Sequence, residues 1–217
     1  MEKKGFFITF EGIEGSGKTT QQRLLIEFLE KQNADCVWTR EPGGTAIGVE
    51  IRKILLNKAS IGMTSMCEAL LYLADRAQHH REVVVPSLSR GAIVVSDRYH
   101  DSTRAYQGVA RGLPVEELDR IFALVVGNLK PDLTFLLDLS PAAGLRRAQS
   151  RLELDDMDQA EGRFESETIA FHQAVRESFL RFAREEPDRF VVIDAEREPT
   201  EVADEIRRVV EKKFEFV

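Results

Sequence analysis

Two cysteines, Cys36 and Cys67, are all that the chain contains. That is too few for a disulfide framework, and their spacing fits no metal-binding pattern. Both are expected to be small buried hydrophobes in a reducing compartment. Long apolar runs are also missing. None approaches the ~18 residues needed to cross a bilayer, and no apolar leader follows Met-Glu-Lys-Lys-Gly. The expected home is the cytoplasm. Positive charge is not in excess either. The formal net charge is −7, so bulk electrostatics would repel polyanionic DNA or RNA. Any phosphate must be held by a local cluster. Internal repeats and low-complexity linkers are absent. The 217 residues therefore suit one α/β domain, 1–217.

What is present is an alternation of strand-like and helical runs. Phe6–Phe10, Cys36–Trp38, Ala92–Ser96, Leu133–Leu137 and Phe190–Ile193 are short and apolar. Between them, apolar residues recur at helical spacing, as in Leu24, Leu25, Phe28 and Leu29, or Val202, Ile206, Val209 and Val210. Two or three helices are expected over 45–89, one from Leu113-Pro114-Val115 to about Asn128, and one from Pro141. This pattern predicts a parallel sheet with right-handed crossovers and helices on both faces. The stretch Arg151 to Arg163 is charge-dense and poor in large apolar residues, and reads as a loop or lid.

The strongest motif is Gly12-Ile13-Glu14-Gly15-Ser16-Gly17-Lys18-Thr19, a full match to G-x-x-x-x-G-K-[ST]. It follows the first strand and opens a helix, where the mechanism needs it. The glycines let several backbone N–H groups turn toward phosphate oxygens, and the helix N-terminus adds its dipole. Lys18 supplies a cation for the outer phosphates, and the Thr19 hydroxyl suits Mg²⁺. The motif implies a nucleoside triphosphate and leaves the phosphoryl acceptor open.

Four further groups bear on the acceptor. Asp97-Arg98 ends a strand, where ligands of open parallel sheets sit. Asp97 is placed for magnesium or a magnesium-bound water, and Arg98 for a phosphate. Tyr72 and Arg76 are four residues apart on one helix face, enough to stack on a base and read its edge. Taken alone they read first as a core tyrosine and a helix-surface arginine. His79 and His80 read as surface or supporting residues before metal ligands. Thr39-Arg40-Glu41-Pro42-Gly43-Gly44-Thr45 links the second strand to a helix and alone is a simple turn. The last group is the lid, about 147–163, whose arginines Arg147, Arg151 and Arg163 are candidates to close on the transferring phosphoryl group. Residues Arg151 to Glu165 hold two arginines against six acids, so only specific geometry would let the segment grip phosphate.

Together the segments Phe10–Thr20, Thr39–Thr45, Leu70–His79, Asp97–Tyr99 and Asp101–Gly108 resemble bacterial thymidylate kinase, a nucleoside monophosphate kinase. The P-loop is widely shared, whereas Glu-Pro-Gly-Gly-Thr and Ala-Asp-Arg-Ala-Gln-His are much more specific. The resemblance implies a three-layer P-loop kinase fold with a five-stranded parallel sheet, a homodimer, and Mg²⁺-dependent phosphorylation of dTMP to dTDP by ATP. It implies ATP contacts from Gly12, Glu14, Gly15, Ser16, Gly17, Lys18, Thr19 and Thr20. Tyr72 would stack on the base and Arg76 would hydrogen-bond it. Arg98 and Arg52 would bind the monophosphate, with Glu41 and Pro42 also on the substrate side, and Thr103, Tyr106 and Gln107 lining the nucleoside pocket. Glu14 fills a position where some members carry arginine, and members with an acidic residue there place catalytic arginines in the lid. Arg151, then Arg147, are the expected fingers. Gly162 and Phe179 stand where the family often has aspartate and tyrosine.

Two other classes stay open on sequence alone: a P-loop kinase for a different nucleotide or nucleoside, and an ATPase switch.

Overall fold

A computed structural model describes residues 5–60, 62–127, 129–154 and 162–214, with side chains left out of that description at 151–154. Five parallel strands form one sheet in the order β2-β3-β1-β4-β5. They are β1 (Phe6–Glu11), β2 (Cys36–Arg40), β3 (Ile93–Asp97), β4 (Leu133–Asp138) and β5 (Phe190–Asp194). Successive residues of β1 and β3 face opposite sides of the sheet. Ile8, Phe10 and Val95 enter one apolar core with Leu29, Phe135 and Phe179. Phe7 and Val94 enter another with Leu73, Tyr99 and Phe122. Coverage of both faces explains why the inner strands read as unbroken apolar runs. β2 is an edge strand, and its Trp38 is 48% exposed.

The helices start where local chemistry permits. α1 (Lys18–Lys31) follows Gly17, whose φ of 90° suits glycine. Thr45, Thr64 and Thr168 cap α2 (Ala46–Leu56), α3 (Ser65–His79) and α8 (Ile169–Glu185), each hydroxyl accepting a backbone N–H three residues on. A π-helical turn, His80–Val84, joins α3 to the short α4 (Val85–Ser89). α5 (His100–Thr103) runs into a second π-helical turn, Arg104–Ala110. Among the described residues the other α-helices are α6 (Val115–Val126), α7 (Pro141–Leu154) and α9 (Pro199–Lys213), with a single 3-10 turn at Lys58–Ser60. Proline opens α7 and α9, where its missing N–H costs no hydrogen bond.

The expected fold class is the observed one. The expected strands are each present within one or two residues. The cysteines depart from expectation, since Cys36 is half-buried on the edge strand and Cys67 is exposed in the first turn of α3. Among the described residues, no helix is long and apolar enough to cross a membrane.

Parallel register aligns the carboxyl ends of the strands. Phe10 pairs with Asp97, Arg40 with Asp97, and Asp138 with Asp194. A cleft of about 1230 Å³ opens along this rim.

Candidate active site

The phosphate loop leaves β1 at Gly12, with φ of 140°, and returns through Gly15 and Gly17, with φ of 70° and 90°. Close packing adds a second constraint at Gly15, since a Cβ there would lie 2.1 Å from the Gly144 carbonyl of α7. The loop holds its own lysine. Lys18 Nζ donates to the carbonyls of Gly12 at 3.1 Å and Ile13 at 2.9 Å, and to Ser16 Oγ at 3.3 Å. Burial, with the nearby Arg98 guanidinium, brings its ammonium down to about 8.

β3 delivers the next two groups. Thr19 Oγ1 donates to Asp97 Oδ2 at 3.4 Å, across the sheet from loop to strand end. Asp97 Oδ1 is buried and has no hydrogen-bond partner among the described residues. An orphaned carboxylate oxygen beside a threonine hydroxyl suits a hard cation that takes few protein ligands and completes its shell with phosphate and water. Arg98 then adopts φ of 67°, a left-handed conformation uncommon outside glycine. That turn throws its side chain over the phosphate loop. NH1 donates to Gly12 O at 3.0 Å and Ser102 Oγ at 3.1 Å, while NH2 donates to Glu14 Oε1 at 3.0 Å and the Tyr106 hydroxyl at 3.2 Å.

Glu14 is thus surrounded by donors. Tyr106 donates its hydroxyl to Oε1 at 2.7 Å, and His172 Nδ1 of α8 lies 3.1 Å from Oε2. Burial alone would raise this carboxyl, but His172, Arg98 and Lys18 hold it down at about 2. The opposite happens to Glu11 at the end of β1. Burial and Asp101 push it up to about 7, against hydrogen bonds from Tyr99 N and Ser102.

The other half of the cleft is walled by Glu41, Pro42, Arg52, Tyr72, Thr103, Tyr106 and Gln107. These are the residues that the resemblance implies on the substrate side, and the fold brings them to one wall. Arg76 is placed differently. It is 1% exposed and lies behind the wall, donating Nε to Glu41 Oε2 at 2.6 Å, NH1 to Thr103 Oγ1 at 2.9 Å and NH2 to Tyr99 O at 3.0 Å. His79, also buried, bonds Glu41 Oε1 at 2.8 Å and Thr39 Oγ1 at 2.6 Å. Arg52 NH1 donates to the Pro42 carbonyl at 3.3 Å.

The lid arginines separate into three situations. Arg147 lines the cleft and donates to Ala195 O at 2.9 Å. The side chain of Arg151 lies outside the described residues, as does the acidic stretch 155–161. Arg163 is 4% exposed and committed, donating Nε to Leu55 O and pairing NH1 with Glu68 Oε2, both at 2.6 Å. A buried guanidinium on these partners is an anchor, so the expectation of a finger at Arg163 is not matched by its surroundings.

Comparison with known proteins decides the family. The thymidylate kinase family model matches residues 10–206. The chain belongs to the thymidylate kinase family. Among relatives, the thymidylate kinase of Maridesulfovibrio salexigens is 49% identical over 97% of this chain and 98% of its own. That of Desulfosudis oleivorans is 48% identical over 95% and 96%. The crystal structure of thymidylate kinase from Ehrlichia chaffeensis superposes with a TM-score of 0.76 at 35% identity, covering 95% of this chain and 99% of that one.

Behind the walls of this thymidylate kinase-family cleft, sequence reasoning missed three buried groups: Glu11, Glu68 and His172. Glu11 carried a signal, being a charge at the end of an apolar strand. Glu68 and His172 carried none. Each sits on a helix with a mixed pattern, and its partners are distant in sequence.

Proposed function

We propose that the cleft seats ATP on the phosphate loop and dTMP against Tyr72, with Arg98 between the two. The chain phosphorylates dTMP to dTDP at the expense of ATP. The observation that carries the residue assignment is the junction at Gly12, whose carbonyl accepts from both Lys18 and Arg98. One guanidinium therefore stands where the donor's outer phosphate and the acceptor's phosphate must meet. Lys18, Gly15, Ser16, Gly17, Thr19 and Thr20 hold the triphosphate, and Arg98 and Arg52 hold the monophosphate. Tyr72, Thr103, Tyr106 and Gln107 enclose the nucleoside, backed by Glu41, Pro42 and Arg76. The acceptor oxygen is already ionised at neutral pH, so transfer rests on alignment and charge neutralisation and needs no strong base.

Thr19 and Asp97 would hold Mg²⁺, which would neutralise charge on the transferring phosphates. Arg147 and Arg151 supply further positive charge from the lid, since Glu14 cannot. Residues 1–217 act as one domain in the cytoplasm. Two chains pair through α2 and α3, where Ile47, Ile54, Met66 and Leu70 are exposed; sedimentation at micromolar concentration checks this.

One coupled assay of ADP release with dTMP, dUMP, UMP, CMP and AMP tests the reaction. The expected order places dTMP first and dUMP next, the thymine methyl adding about 1–3 kcal/mol, with CMP and AMP far behind. Equal turnover of CMP and dTMP would overturn the acceptor assignment.

A further inference from the structure

We propose that Glu68 is a positioning residue for base selection. It fixes the amide of Gln107 so that the carbonyl faces the nucleobase. The inference rests on the acceptor pocket assigned above and concerns a residue that does not touch the nucleotide.

Glu68 lies in the first turn of α3 and is 1% exposed. Its Oε1 accepts from Gln107 Nε2 at 2.7 Å. Arg163 NH1 lies 2.6 Å from Oε2, and Arg111 Nε lies 3.4 Å from Oε1. Both oxygens of Glu68 thus face donors, Oε1 those of Gln107 and Arg111 and Oε2 that of Arg163, so this carboxyl meets its neighbours as an acceptor. An amide beside it has one permitted orientation, with its NH₂ toward Glu68 and its oxygen away. Gln107 is itself 2% exposed, and it lines the cleft near Tyr72 and Thr103. Its Oε1 has no protein partner among the described residues.

A fixed acceptor on the pocket wall discriminates by chemistry. A 4-oxo pyrimidine carries an N–H at N3 and donates to it. Cytosine carries a bare lone pair at N3, which sets acceptor against acceptor. Glu68 thus sets the sign of the hydrogen bond offered to the base. The Arg163 anchor, itself tied to the Leu55 carbonyl, keeps Glu68 from turning.

The test uses dUMP and dCMP, which share a sugar and lack the methyl group, so their ratio of kcat/KM isolates the N3–C4 edge. In Glu68→Gln the partner can donate as well as accept, so the Gln107 amide can pair in either sense. The dUMP/dCMP preference is expected to fall about tenfold, the worth of one hydrogen bond, with the loss for dUMP mainly in KM. Gln107→Met should reduce the preference similarly, and adding Glu68→Gln to it should change the ratio no further. If Glu68→Gln lowers kcat/KM for both nucleotides equally, Glu68 only braces the fold and the proposal falls. If Gln107→Met keeps the wild-type ratio, Gln107 does not read the base and the proposal falls again. That measurement stands even if Glu68→Gln does not fold. In every case, turnover of dTMP by the wild-type chain reports separately on the reaction itself.

Discussion

The two halves of the cleft, proposed above for donor and acceptor, are built on opposite plans. The donor half is eight consecutive residues, Gly12 to Thr19, whose functional atoms are mostly backbone groups at a helix start. The half proposed for the acceptor joins side chains from the loop after β2, from α2, α3 and α5, and from the π-helical turn at 104–110. Backbone sites tolerate change in their neighbours but not in their own glycines. Side-chain sites fail wherever one member of a network is lost.

The largest expected effect lies on the donor side. Lys18→Ala should lower kcat by about 10²–10³-fold, as for loss of one preorganised charge-stabilising group. The melting temperature should hardly move, because among the described residues Lys18 hydrogen-bonds only within its own loop. Near-normal turnover at saturating ATP would remove the lysine from the mechanism.

Arg163→Ala sharpens the contrast in the other direction. It leaves Glu68 buried without its closest charge partner, and such breakage costs about 3–5 kcal/mol of stability. Denaturant unfolding should show that loss. Arg147→Ala, on the cleft wall, should lower kcat with little change in stability. A stable, inactive Arg163→Ala would restore it as a finger.

Arg98→Ala acts where the halves meet. Loss of a charge-assisted hydrogen bond should reduce kcat/KM for dTMP by about 10- to 150-fold. A fall in ATP affinity with dTMP affinity unchanged would give Arg98 to the donor nucleotide.

The smallest effect is on stability against pH. Glu11 goes from 4.5 to about 7 on folding. The folded state therefore holds the proton more tightly, and this contribution is full below about 4.5 and fades as pH rises through 7. Between about pH 5.5 and 8 the wild type should lose about 2 kcal/mol from this group. Glu11→Gln should flatten that slope, and an unchanged slope would place the titration elsewhere, with Asp75 next, whose burial and Glu41 raise it to about 6.

The same contrast explains what could be read in the sequence. The β1–loop–α1 unit was legible because its signal is contiguous, a β-rich run followed by glycines at fixed spacing. The wall residues Thr103, Tyr106 and Gln107 were legible only through resemblance, and Tyr72 by its spacing alone read first as a core tyrosine. Their helix pattern alone does not distinguish cleft from core. Arg76 and Arg163 show why the rest was hidden. A sequence reveals that an arginine is present, but its role depends on whether a carboxylate such as Glu41 or Glu68 lies beside it, and those partners are 35 and 95 residues away. The helix at 100–103 was missed because its register breaks into a widened turn after four residues.

The pairing of Arg98 with Glu14 gives the enzyme an internal competitor. Before dTMP arrives, the guanidinium already has a carboxylate at 3.0 Å. On the assignment proposed above, binding the acceptor phosphate is an exchange of anions at Arg98, and its net gain is the difference between two charged contacts. A dianion aligned by the nucleoside pocket wins that exchange, while a stray monoanion of similar size must displace the same carboxylate without the help of the base. The tether thus acts as a threshold: it weakens every anion equally and leaves an advantage only to those attached to the right nucleoside. It also supplies a return partner for Arg98 when the diphosphate leaves, which favours product release.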